Sequence, residues 1–365
     1  MSESILQDGR WNAQSKRMLE KLIKESAFSN NYAVFDWDDT CIFSDTQNNL
    51  FLYQIEHLIF NVTPASFSDI IRTGVPQNEV LPNVCNVAGE PLTAKMLSED
   101  LDKSYKFLYN TYEGFKGRMS LKEIKATDEF CDFKAKLMFL TGGLFYFCGV
   151  DLSQATATGM TLDELALIAG RSIDWGLNAP ISYPAIESPA SLRGKAGVVR
   201  TSFQTGLRVQ SEMQNLISVL NANGIETYVC SASHESCIRV FATNEKYGYC
   251  IKNENIFARK KLLDENGKLT PHQDMSVPST WREGKALAIK TQMAPLHENK
   301  APILIAGDSD GDFYMMNEYK HNALLLIFDC NRSTDSKIRT LIRDAEKNNH
   351  ILVQKRNPQT GYMEN

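Results

Sequence analysis

The stretch AVFDWDDTCIFSD carries an apolar run, Tyr32 to Phe35, straight into Asp36, Asp38 and Asp39. Grouped carboxylates repel one another and lose solvation, so a buried strand that ends this way calls for a counter-charge. Three later stretches carry residues that could join this cluster. In VCSAS, the Ser231 hydroxyl and the backbone N–H groups around Ala232 stand at a strand-to-helix turn, a place suited to a phosphate oxygen. In WREGKALAIK, Lys285 falls in the first turn of a helix, and in ILIAGDSDGD, Asp308 follows a strand with Asp310 and Asp312 beyond it on a glycine-flanked turn. Brought together, these residues make an acidic site with one lysine. Such a site requires a divalent cation to stay ionised, and its oxygen donors suit Mg²⁺ better than zinc. The chemistry this allows is covalent catalysis. Asp36 is the nucleophile that forms an aspartyl-phosphate. Asp38, on the same side of an extended segment, protonates the leaving oxygen and later deprotonates water, while metal and lysine neutralise the phosphoryl group.

Each residue also has a plainer use. Aspartates after strands commonly cap turns and helices, and a helical lysine is usually a solvated charge, as is expected of Lys290 in the same segment. Gly284 beside Lys285 singles out the latter. Asp310 reads as a turn residue and Asp39 as an exposed one. Asp45 is open to two readings: the N-cap of the helix TQNNLFLYQIEHL, or an acidic receptor for a substrate ammonium. The aromatics of the central segment, among them Tyr105, Tyr109, Tyr112, Phe145, Tyr146, Phe147, Trp175 and Tyr183, are expected to be mostly core, with some available as a cage for a quaternary ammonium. His234 reads as a helix-start residue, and Cys230 has no base partner in the sequence.

The elements that must position these side chains follow from periodicity. AVFD, IETYVCS, APILIAGD and NALLLIFD alternate with helical patterns, which predicts an α/β fold with a Rossmann-like parallel sheet flanked by helices. Between 45 and 205 the pattern turns mostly helical, an insertion of about 160 residues that is larger than a loop should be. It leaves the chain just after the acidic cluster, at the carboxyl end of the first strand, where open α/β sheets place their ligands. The expected organisation is a catalytic core of 1–44 and 206–365 with a helical cap of 45–205. The C-terminal HILVQKRNPQTGYMEN is expected to add an edge strand and then fray.

Composition narrows the classes. The chain has 365 residues, 43% hydrophobic and 23% charged, with a net charge of −5, and no basic face that would bind nucleic acid. Its eight cysteines are scattered without metal-ligand spacing, which reads as reduced thiols. The apolar stretch Leu137 to Val150 is interrupted by glycines and shorter than the roughly 20 residues a membrane helix needs. The polar, helix-forming start MSESILQDGRWNAQSKRMLEKLIKE lacks the apolar core of a secretory signal, so the expected place is the cytoplasm and the expected partner a small phosphorylated metabolite.

Asp36-x-Asp38-x-Thr40, Ser231, Lys285 and Gly307-Asp308-x-x-x-Asp312 match, in order, the four motifs of the haloacid dehalogenase superfamily, which the chain therefore resembles over residues 36–312. The resemblance implies that Asp36 is phosphorylated and that Asp38 is the acid/base, with its carbonyl on the metal. It further implies that Asp308 ligates the metal, that Asp312 positions Lys285 or a metal-bound water, and that Thr40 and Ser231 complete the phosphate cradle. Members that displace halide lack the second aspartate, so Asp38 points to phosphate hydrolysis. The context YAVFDWDDTCIF, VCSASHESCIRVFA and ILIAGDSDGDFYMM further resembles the phosphorylcholine phosphatase group, which implies phosphorylcholine or another amino-alcohol phosphate as substrate. Phosphoryl transfer between small molecules is the enzymatic alternative, and a non-catalytic binding protein on the same fold the other.

Overall fold

The computed structural model describes residues 4–330 and 332–365, apart from the side chains of Phe145 and Tyr146, two of the candidate cage aromatics, which lie outside the described residues. Seven strands form the central sheet: β1 (Tyr32–Phe35), β2 (Glu226–His234), β3 (Ile256–Arg259), β4 (Leu304–Gly307), β5 (Leu324–Asp329), β6 (Ile351–Arg356) and β7 (Met363–Glu364). Their spatial order is β7-β6-β5-β4-β1-β2-β3, parallel except for β7, which runs antiparallel to β6. The predicted parallel α/β sheet is thus present, and the chain end does not fray but closes the edge as β7. All four residues of β1 are buried, as a strand covered on both faces requires. Ala33 and Phe35 face one core with Leu19 and Ile23 of the helix Ala13–Ser26. Tyr32 and Val34 face the other, with Ile289 and Met315.

Strand order reverses at β1. The chain first builds β2 and β3 on one side, then crosses to β4, β5 and β6 on the other, so a crevice opens at the carboxyl ends of β1 and β4. Asp36 leaves β1 there, its N–H donating to the Ala306 carbonyl at 3.0 Å, and Asp308 leaves β4 beside it.

Between β1 and β2 the chain runs through helices Thr46–His57, Ala94–Thr111, Asp128–Cys148 and Leu162–Asn178, with short hairpins between them. These helices have a hydrophobic core of their own around Phe60, Phe67, Tyr105 and Phe133, the Phe67 and Tyr105 rings stacked at 4.2 Å. A buried charge network pins it. Lys136 Nζ lies 2.7 Å from Asp132 and 3.1 Å from Asp100, and Asp100 also accepts the N–H groups of Lys195 and Ala196, both at 2.9 Å. Exit and return of the segment are paired side by side, Ile42 opposite Val209 and Phe43 opposite Arg208. A hairpin over 261–273, unanticipated from the sequence, projects from the end of β3. Among the described residues, no helix is long and apolar enough to cross a membrane.

Candidate active site

Four carboxylates and two cations meet at the ends of β1 and β4. Lys285 Nζ bridges Asp36 Oδ1 at 2.5 Å and Asp312 Oδ1 at 2.6 Å, all three side chains buried. Lys285 sits in the first turn of the short helix Glu283–Ala288, whereas Lys290 is exposed. The turn before that helix is tightly built. A Cβ on Gly284 would stand 1.5 Å from the Ser279 carbonyl oxygen, Arg282 takes a left-handed φ of 52°, and Thr280 Oγ1 donates to the Ser231 carbonyl at 2.5 Å. One turn therefore fixes both the lysine and the strand end that carries Ser231.

Asp312 is held from its other oxygen. Oδ2 accepts the N–H groups of Asp308 and Ser309, each at 3.1 Å, in a capping box at the start of the helix Asp310–Tyr319. Carboxylate oxygens of Asp36, Asp308 and Asp312 lie within 4.8 Å of one another, all three residues buried. Burial, with Asp312 beside it, pushes Asp36 well above the usual carboxylate range, with Lys285 pulling the other way. Burial likewise lifts Asp308 to about 7 against the pull of Arg332. Lys285 is lowered by burial, but Asp312 and Asp36 outweigh this and hold it above its ordinary value, firmly protonated. A compact set of buried hard oxygens carrying more negative charge than its lysine can balance fits a divalent cation with oxygen preference.

The segment after β1 turns at Asp39, which takes a φ of 53°, and the Asp38 carboxylate is held by neighbouring donors. It accepts from the Thr46 N–H at 2.7 Å and from Ser233 Oγ at 2.6 Å. Burial raises its pKa although both hydrogen bonds lower it. The carboxylates grouped within 4.8 Å are those of Asp36, Asp308 and Asp312. Thr40 Oγ1 reaches Asp36 Oδ2 at 3.3 Å, and Ser231 is buried within β2, which runs on to His234 before the helix begins, so it is not at the strand-to-helix turn expected of it; its Oγ accepts the Ser233 N–H at 3.2 Å. The Ala232 carbonyl accepts from Gln154 of the inserted segment at 3.0 Å.

Other residues fall into place around this set. Asp45 caps the helix Thr46–His57, accepting the Asn48 N–H at 2.7 Å, and burial with Asp38 nearby raises it well above the usual range. Asp310 accepts the Ile338 N–H at 3.0 Å, tying its helix to the next. His234 is the N-cap of the helix Glu235–Thr243, and burial drives its pKa down to about 3. Asp39, expected on the surface, is instead half-buried, because it accepts the Ser44 N–H at 2.8 Å and pairs with Arg332 at 2.9 Å. Sequence reasoning missed Arg332, which also pairs with Asp308; a basic residue a few positions past the apolar run NALLLIFD was the available signal. The cap aromatics are engaged with one another: Tyr105 and Tyr109 pack on Phe115, Trp175 on Tyr53, while Tyr183 is exposed and donates to the Pro358 carbonyl at 2.9 Å.

Residues 185–317 match the family model described as haloacid dehalogenase-like hydrolase. The matched span takes in Ser231, Lys285, Asp308 and Asp312, and the parallel sheet with its strand-end acidic site agrees with it. Over that span the chain is similar to the haloacid dehalogenase-like hydrolases. It is 26% identical to a phosphorylcholine phosphatase of Pseudomonas aeruginosa over 338 residues, 84% of this chain and 76% of that protein. It also shares its whole fold with a conserved protein of unknown function from Anaerococcus prevotii, at a TM-score of 0.91 and 25% identity, over 99% of this chain and 97% of the other.

Proposed function

We propose that this protein is a Mg²⁺-dependent phosphatase that works through an aspartyl-phosphate on Asp36 and hydrolyses phosphorylcholine or a closely related amino-alcohol phosphate. The observation that carries the mechanism is the Lys285 ammonium shared between Asp36 and Asp312, with Asp308 in the same buried set. Asp36 attacks phosphorus with a carboxylate oxygen while Lys285 offsets the growing negative charge. The leaving alcohol takes the proton of Asp38, whose raised pKa favours the protonated state needed for that step. Asp38, now ionised, takes a proton from the water that attacks phosphorus, and Asp36 is restored as inorganic phosphate forms. Ser231, Thr40 and the backbone N–H at Ala232 hold the phosphoryl oxygens. Asp36 and Asp308, with the Asp38 carbonyl, would hold the metal, which when bound supplies further positive charge to the phosphoryl group.

In this reading 1–44 and 206–365 form the catalytic core and 45–205 the cap. The cap's first helix begins at Thr46, whose N–H is on the Asp38 carboxylate, so cap placement and the proton-transfer group are linked. Similarity to a phosphorylcholine phosphatase supports the substrate class, and Asp45, with its elevated pKa beside Asp38, is the group that a substrate ammonium would relieve. The test is phosphate release from phosphorylcholine, phosphoethanolamine, phosphoserine and uncharged glycerol phosphate, with Mg²⁺ and with chelator. Phosphorylcholine is expected to be preferred, only with metal, and Asp45→Asn to erase the preference over glycerol phosphate. Release from none of these esters would sink the substrate class.

A pH effect follows from the same carboxylates. Asp36, Asp38, Asp45 and Asp308 all have raised pKa values in the fold. Between the ordinary carboxylate value and the raised one, the folded protein binds more protons than the unfolded chain, so stability falls as pH rises through that window. For Asp308 the window ends at about 7. In chelator, Tm should therefore drop between about pH 5 and pH 8, and Mg²⁺ should raise Tm more at the upper value, since ligation needs ionised carboxylates. An equal Mg²⁺ effect at both pH values would contradict this.

A further inference from the structure

A second cation reaches the acidic site from outside the four motifs. Arg332, just past β5, donates from Nε to Asp308 Oδ2 at 3.0 Å, and its Nη2 contacts the same oxygen as well as Asp39 Oδ2 at 2.9 Å. Its backbone is clamped: Arg339 donates from Nε and Nη2 to the Arg332 carbonyl at 3.1 and 3.0 Å, and Arg339 itself pairs with Asp329 at 3.0 Å. The reach of the side chain toward Asp308 is thus built into the loop.

Two cations divide the carboxylates between them, Lys285 serving Asp36 and Asp312, Arg332 serving Asp308 and Asp39. Their settings differ. The Lys285 side chain is 2% exposed and enclosed, whereas that of Arg332 is 39% exposed. A guanidinium at the water boundary can leave its carboxylate and be solvated, while a buried ammonium cannot without stranding two charges. Both Arg332 N–H groups converge on one Asp308 oxygen, so they occupy lone pairs that a metal ion would use, and the guanidinium charge opposes any cation arriving at Asp308.

We infer that Arg332 is a tethered counter-cation that competes with the divalent metal for Asp308 and so sets the metal concentration at which the site fills. The inference rests on the reading of Asp36 and Asp308 as metal ligands. Arg332 neutralises Asp308 in the metal-free protein, and swings toward solvent when the metal takes that carboxylate. The loop after β5 then acts as a threshold device, separate from the catalytic residues.

The test is Mn²⁺ binding to the full chain without substrate, followed by electron paramagnetic resonance and by the metal-induced shift in Tm, for wild type, Arg332→Gln and Arg332→Lys. Arg332→Gln should bind Mn²⁺ tighter by about tenfold or more, the scale on which groups next to metal ligands act, with a lower Tm in chelator and a larger rise on adding metal. Arg332→Lys, which keeps the charge but loses the fork, should fall between the two. Unchanged or weaker binding in Arg332→Gln would overturn the inference, the latter because it would make Arg332 a support for Asp308. If Arg332→Gln fails to fold, Asp39→Asn, which removes one of the two anchors of the guanidinium, should shift affinity the same way by less, and no shift would again overturn the inference. No Mn²⁺ binding by any variant, wild type included, would remove the metal reading itself along with this inference.

Discussion

Asp36→Asn is expected to abolish phosphate release, by on the order of 10⁴-fold or more, the scale on which covalent enzymes lose activity with their nucleophile, while leaving the fold and its Tm in chelator nearly intact. Asn keeps the shape and the Oδ1 acceptor that Lys285 uses at 2.5 Å, but its amide cannot take up and release a phosphoryl group. The substitution also removes a charge whose burial is unfavourable, as the raised pKa of Asp36 records. Loss of activity with retained stability therefore separates a chemical role from a structural one. Assay of the purified variant beside wild type, with a thermal melt of each, decides it, and retention of more than a small fraction of activity would exclude Asp36 as nucleophile.

Lys285→Met should do both kinds of damage. It removes the positive charge offered to the phosphoryl group and strands Asp36 and Asp312 together in a buried site. Breaking a buried ion pair from one side typically costs about 3–5 kcal/mol. Here the cost is moderated on one side only, since Asp312 Oδ2 still accepts two backbone N–H groups. The stranded carboxylates will take up protons, so the destabilisation should shrink toward acid pH and be largest above neutrality. Urea melts at about pH 5 and about pH 8 measure it. A variant as stable as wild type at the higher pH would mean that Lys285 does not neutralise these two groups.

The central sheet and the strand-end positions were legible because each is written locally. An apolar run followed at once by Asp or Ser marks a strand at Asp36, Ser231 and Asp308, and its carboxyl end at the two aspartates, while Lys285 is brought to them from a helix. Gly284 marked Lys285 over Lys290 for a reason visible in the fold, since no Cβ fits against the Ser279 carbonyl. What stayed hidden depends on partners distant in sequence. Asp39 looked exposed because Arg332 comes from the far end of the chain. Asp100 and Lys136 carry no local mark in their helices, yet both are buried through each other and through the loop at Lys195. The left-handed turn at Asp39, just past Asp38, is likewise nothing that periodicity reveals. The expectation that most aromatics of the inserted segment are core agrees with Tyr105 and its neighbours, which those helices bury together.

The central claim is that turnover passes through a phosphorylated Asp36. Acid quenching of the enzyme during turnover of phosphorylcholine with Mg²⁺, followed by peptide mass spectrometry, tests it directly. The account predicts a phosphoryl group on the peptide that carries Asp36, more of it in Asp38→Asn, where the water-activating base is gone, and none in Asp36→Asn. Phosphate release with no label on that peptide, or a label on another residue, would contradict it.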